Sequence, residues 1–144
     1  MYNESHIDRF RGPYYFLSNF YLCNFVFDGI PYTNAEAAFQ AQKSMDIEIR
    51  ESFSKLNPKD ARHAGRKVAL RPDWEQVKYE LMKDILLVKF SIPELKEKLL
   101  STGDVYIEEG NSFGDTDWGT VNGEGQNNLG KILMSIRDDI KKGL

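Results

Sequence analysis

Ten residues, Asn34-Ala-Glu-Ala-Ala-Phe-Gln-Ala-Gln-Lys43, constrain this chain more than any other segment. Asn34 predicts a helix start, because its short side chain can accept a hydrogen bond from a backbone N–H of the first turn. Ala37, Ala38 and Ala41 leave most of the helix surface without bulk, so other elements can approach closely and the helix packs on most of its sides. At about 100° per residue, Glu36, Gln40 and Lys43 share one face, with Phe39 beside them. Two readings follow. The polar stripe either lines a cavity or faces water, where Glu and Lys are common. Glu36 and Lys43 stand about two turns apart, beyond the i,i+4 reach of the ion pairs that decorate exposed helices.

The remaining 134 or so positions set the context in which that helix must pack. A chain of 144 residues supports one hydrophobic core rather than two. With 41% hydrophobic and 28% charged residues it reads as a folded domain. No Gly/Ser-rich or Pro-rich linker and no repeat divides it, so residues 1–144 are expected to form a single domain. Met1 to Arg11 contain no apolar run that would act as a signal peptide, and no later stretch is long enough to cross a bilayer. The expectation is a cytoplasmic protein with no membrane partner. Cys23 is the sole cysteine and His6 and His63 are the sole histidines, which argues against a disulfide, a histidine dyad or a His-rich metal site.

A net charge of −3 excludes a surface that attracts nucleic acid as a whole. One local basic cluster remains, Arg62, Arg66, Lys67 and Arg71, with Arg9 and Arg11 near the start. It is either a solvated helix face or the wall of a phosphate pocket, and composition does not choose between them.

Along the chain, Phe25 to Tyr32 predicts a hairpin around an Asp28-Gly29 turn, with Pro31 confining the second arm to an edge. Helices are predicted from Asn34, over Asp46–Leu56, and from Asn57-Pro58 to Lys67, where Asn caps and Pro occupies the first turn. The clearest helix starts at Asp73 as a cap and runs from Trp74 to Phe90. Val77, Leu81, Ile85 and Val88 form its apolar stripe, widened by Met82 and Leu86. Pro93–Leu100 and Asn128–Lys142 are helical, the latter with Leu129, Leu133, Ile136 and Ile140 inward, and Asp104–Glu108 is a strand. The fold class expected is α+β, mostly helical, with a small sheet or hairpin.

Gly110 to Gly125 holds five glycines and reads as a loop, long enough to suggest function. Glu108, Glu109, Asp115 and Asp117 crowd there, in a spacing that does not fit an EF-hand. Such a loop is either simply solvated or a binding element. Trp118, set among glycines, makes a stacking platform for a base or sugar. The helix beginning at Asn128 offers backbone N–H groups to a phosphate or ribose oxygen. In Phe10 to Tyr21, Phe16, Leu17 and Phe20 are expected to plug the core, leaving Arg11 and Asn19 as polar exceptions.

With these segments in view, the chain closely resembles the NADAR family, also called YbiA-like proteins. The matching strings run in family order: Phe16-Leu-Ser-Asn-Phe-Tyr21, Tyr32-Thr-Asn-Ala-Glu36, Phe39-Gln-Ala-Gln-Lys43, Ala61-Arg-His-Ala-Gly-Arg66, Leu99-Leu-Ser-Thr-Gly-Asp104, Asp115-Thr-Asp-Trp-Gly119 and Gly125-Gln-Asn-Asn-Leu-Gly130. Ala37 departs from the pattern, since the family often carries His after the glutamate.

The resemblance implies N-glycosidase chemistry on a ribosyl-phosphate or ADP-ribosyl substrate. The partners it implies are a small nucleotide such as a phosphoribosylamino-pyrimidine intermediate of riboflavin synthesis, or an ADP-ribosylated guanine base, with transient contact to modified nucleic acid. A non-catalytic ADP-ribose sensor is the alternative. Carried onto this chain, the resemblance makes Glu36, Lys43 and Asp115 catalytic. It makes Arg11, Asn19, Gln40, Arg66, Trp118 and Asn127 substrate-binding, and it calls for no cofactor and no metal. These residue types suit the reaction. Breaking a C1′–N bond builds positive charge on the ribose, which a carboxylate stabilises while activating water. Lys43 would serve as an acid, or form a Schiff base with the opened sugar, if burial lowers its pKa. On this scheme Glu36 and Trp118 are expected to converge on one water-restricted hollow.

Overall fold

The Asp28-Gly29 turn does what its composition demands. Both residues take positive φ, 49° and 81°, as a tight turn between right-handed twisted strands requires. It joins β2 (Leu22–Phe27) to β3 (Ile30–Asn34), after a short β1 (His6–Ile7) earlier in the chain. A computed structural model describes residues 6–143, so Met1 to Ser5 of the opening segment fall outside the described residues. Contacts divide the chain into two units, one of Asn19–Ser91 and one of the residues up to Ser18 with those from Ile92 onward.

In the Asn19–Ser91 unit, β2 and β3 pair antiparallel, Phe25 opposite Tyr32 and Phe27 opposite Ile30, with a register irregularity between Leu22 and Phe25. Phe25, Ile30 and Tyr32 are buried while Leu22 and Val26 are exposed. Pro31 sits in this two-stranded sheet, where every strand is an edge. Asn34 closes β3 and caps α1 (Ala35–Ala41), its side chain accepting from Ala37 N at 2.7 Å. Every residue of α1 is buried, including its polar ones. The alanines therefore serve as the sequence suggests.

Asp46 caps α2 (Ile47–Glu51), which is shorter than the predicted Asp46–Leu56. Past Glu51 the bonds tighten to three-residue turns, from Phe53 N to Arg50 O and from Leu56 N to Phe53 O, and this carries Phe53 into the core. Asn57 then caps α3 (Pro58–Gly65), accepting from Asp60 N at 2.8 Å.

Helix α4 (Trp74–Lys89) buries Trp74, Met82, Ile85, Leu86 and Lys89. Its inner stripe is thus rotated from the predicted one, leaving Val77, Leu81 and Val88 half-buried. The reason is Trp74, whose ring lies 5.0 Å from that of Phe39 on α1. Asp73 also departs from expectation. Its side chain makes no cap bond because both oxygens are taken by Arg71.

In the other unit, β1 pairs parallel with β4 (Tyr106–Ile107), which is shorter than the predicted Asp104–Glu108. A 3₁₀ turn over Gly12–Leu17 buries Phe16 and Leu17. Helix α5 spans Pro93–Ser101 and α6 spans Asn128–Lys141. Leu129, Leu133 and Ile136 face inward as expected, whereas Ile140 is half-buried and Arg137 takes an inner position. The chain is α+β and mostly helical, with two small sheets among the described residues. Among the described residues no helix is long and apolar enough to cross a membrane.

Candidate active site

The site is built on the contact between α1 and α3. The backbone N–H of Glu36 donates to Asn19 O at 3.1 Å, which anchors the first turn of α1 to the preceding segment. The Glu36 side chain is buried with its residue only 5% exposed. It is not left bare. Gln40 Nε2 donates to Glu36 Oε2 at 2.7 Å, one helical turn on, and Arg62 Nε on α3 stands 3.7 Å from the same oxygen. The Arg62 guanidinium in turn lies over the Phe20 ring, 4.5 Å from its centre.

The two helices approach this closely because Gly65 has no side chain. A Cβ there would clash with Gln40 Oε1 and lie 2.6 Å from its Cδ. Lys43 Nζ reaches the same point, donating to Gly65 O at 3.4 Å. Burial pushes the Lys43 ammonium below its ordinary range, Glu36 pulls it back up, and the neighbouring Arg66 charge pushes it down again. Asn19 Oδ1 is buried with no hydrogen-bond partner, while its Nδ2 makes a weak contact to Met82 Sδ at 3.6 Å. Glu36, Gln40, Lys43, Asn19 and Arg66 thus belong to one unit. Of the two readings for the α1 stripe, the solvent-facing one is excluded by the burial of Glu36 and Gln40.

The basic cluster does not act as one group. Arg62 pairs with Glu36, Arg71 is committed to Asp73 and to Gln42 O at 3.3 Å, and Arg66 and Lys67 are exposed. The pairing of Arg62 with Glu36 and the need for Gly65 were not anticipated from sequence. The signal was present in Ala61 and Gly65, two small residues one turn apart on α3.

The four other predicted site residues lie in the second unit. Arg11 is exposed just before the 3₁₀ turn. Asp115 Oδ1 accepts from the backbone N–H groups of Asp117, at 3.0 Å, and Trp118, at 2.9 Å, so this carboxylate shapes the loop that presents the half-buried indole. Asn127 is buried and its amide is spent within the fold: Oδ1 accepts from Glu109 N at 2.9 Å, and Nδ2 donates to Ile107 O at 2.9 Å and to the Tyr106 hydroxyl. It positions the loop. The expected phosphate site at the start of α6 is corrected, because Asn128 N and Leu129 N already donate to Asp117 O and Trp118 O. The acidic loop is also less solvated than a simple surface loop. Glu108 is buried, bonded through Oε1 to His6 Nε2 at 2.6 Å and through Oε2 to the Thr120 hydroxyl. Among the described residues no three His, Cys, Asp or Glu side chains gather as a metal site.

Fold and site together define a mostly helical α+β protein whose buried glutamate is held against an arginine, with a lysine of lowered pKa in the turn that follows the same helix. Comparison with known proteins gives the same fold. The sequence model of the NADAR domain matches residues 5–141, and the chain belongs to that family. A riboflavin biosynthesis protein of Vibrio vulnificus is 35% identical over 134 residues, 88% of this chain; the chain spans 36% of that relative's length. The N-glycosidase YbiA of Shigella boydii is 36% identical over 128 residues, covering 85% of this chain and 79% of the relative. The NMR structure of the Escherichia coli protein YbiA, 33% identical, superposes with a TM-score of 0.84 over 96% of this chain and 87% of that one.

Proposed function

We propose that this chain is an N-glycosidase that hydrolyses the C1′–N bond of a ribosyl-phosphate or ADP-ribosyl substrate. The observation that carries the proposal is the buried Glu36 carboxylate on α1, with Lys43, whose pKa burial lowers, in the turn just past the helix end. The name of the Shigella relative, an N-glycosidase, supports the reaction class, and that of the Vibrio relative supports a substrate tied to riboflavin biosynthesis.

In the proposed reaction, Glu36 takes a proton from water as the water oxygen bonds to C1′. The C1′–N electron pair leaves with the nitrogen, and Lys43 returns a proton to it. A carboxylate in a low-dielectric site stabilises the oxocarbenium-like transition state far better than one in water. Burial also makes the Lys43 proton easier to donate, and such acid–base help is worth roughly 10²–10⁴ in rate. Asn19 Oδ1, buried and unpaired, would accept from a sugar hydroxyl. Arg66, exposed at the end of α3, would hold phosphate.

The test incubates the protein with DNA carrying ADP-ribosylated guanine and, separately, with phosphoribosylamino-pyrimidines, following free base and free sugar by mass spectrometry. Release from one of them is expected, and Glu36→Gln should lower it by at least about a hundredfold while the fold persists. No release from either substrate by folded protein would overturn the enzyme reading. Full activity in Glu36→Gln would overturn the role of that residue.

A further inference from the structure

We propose that Arg62 is a positioning residue for the Glu36 carboxylate rather than a phosphate ligand. It acts with Gln40 to hold Oε2 in place, so that Oε1 is the oxygen presented to the substrate. The proposal rests on the N-glycosidase reading of the same site.

A carboxylate has two oxygens, and here they are treated unequally. Oε2 receives the Gln40 amide at 2.7 Å and has the Arg62 guanidinium 3.7 Å away. Oε1 accepts no hydrogen bond from any described residue. Two groups from two helices therefore converge on one oxygen, and their joint pull fixes the torsion of the carboxyl group. Arg62 is itself held from behind by the Phe20 ring at 4.5 Å. Phe20 follows Asn19, whose carbonyl accepts the Glu36 backbone N–H. One short segment thus locates both the helix end that carries Glu36 and the arginine that turns its carboxylate.

The Arg62 side chain is 40% exposed, so the ion pair contributes little to stability and its use lies in orientation. Its neighbour one turn on differs. Arg66 is exposed, forms no ion pair among the described residues, and is the cation felt by Lys43. If one of these two arginines reaches for phosphate, it is Arg66.

The experiment compares Arg62→Met and Arg62→Lys with the parent on a phosphorylated substrate and on the same N-glycoside without phosphate. For Arg62→Met, kcat is expected to fall on the order of tenfold to a hundredfold on both substrates, as a displaced reacting group predicts, with KM nearly unchanged. Added guanidinium ion and the Arg62→Lys replacement should each restore part of kcat. A rise in KM confined to the phosphorylated substrate, with kcat intact, would overturn the proposal and make Arg62 a phosphate ligand. If the parent cleaves neither substrate, the function reading fails by itself. The positioning claim is then decided by crystal structures of the two variants. Alternate Glu36 rotamers in Arg62→Met, restored to one in Arg62→Lys, support it, and an unmoved, well-ordered carboxylate in both refutes it.

Discussion

Gly65→Ala is the smallest change that should disable the α1–α3 site without unfolding the protein. The added methyl would clash with Gln40 Oε1, lie 2.6 Å from Cδ and lie 3.1 Å from Gln40 Cβ. The amide end is flexible and can swing away, but it then loses its 2.7 Å bond to Glu36. A hydrogen bond to a charged group contributes about 1.5–3 kcal/mol. Alanine in a helical conformation returns about 0.5–1 kcal/mol relative to glycine. The net cost is therefore about 1–2 kcal/mol, or a fall in Tm of roughly 3–8 °C for a chain of this size. Turnover should suffer more than stability, dropping at least about tenfold, because Glu36 loses the donor that orients it. Scanning calorimetry and steady-state rates measure both. The decisive version is a double-mutant cycle. In a Gln40→Ala background the clashing amide is absent, so Gly65→Ala should cost less than about 0.5 kcal/mol, giving a coupling of about 1–2 kcal/mol. Additive effects of the two changes, or unaltered turnover in Gly65→Ala, would refute the steric argument.

Two further outcomes follow from the ionisable groups. Lys43 must be protonated to act as an acid, and burial first, then Arg66, hold its pKa below the ordinary 10.5. Arg66→Gln removes a like charge, so the alkaline limb of the pH–rate profile should move to higher pH; an unmoved limb, or one displaced downward, would sink that assignment. Lys89 is fully buried and lowered by desolvation to about 8, against about 10.4 for an unfolded chain. Below pH 8 both states hold the proton and the burial penalty is constant. Between those values the unfolded state binds more protons, so stability rises with pH, by roughly 3 kcal/mol in all. Urea unfolding near neutrality and near pH 10 should show this rise in the parent and its loss in Lys89→Met, and equal slopes in the two would contradict it.

What the sequence determined by itself was local. The Asp28-Gly29 turn, the Asn34 and Asn57 caps and the starts of the helices rest on backbone preferences and bonds spanning a few residues, and all of these appear in the structure. Glu36 and Gln40 were legible for the same reason, as residues on one helix face, whereas Lys43, expected on that face, lies in the turn after α1 ends at Ala41. Tertiary packing decided the rest. Nothing within a few residues of Asp73 foretells that Arg71 takes both its oxygens, or that Trp74 turns α4 toward Phe39. The pairing of β1 with β4 joins positions 100 residues apart, and the bond from His6 to Glu108 spans 102. Arg62 looked like one more member of a basic cluster until α3 packed on α1. Its partner is selected by the close approach that Gly65 permits, and a distance of that kind exists only once the chain has folded.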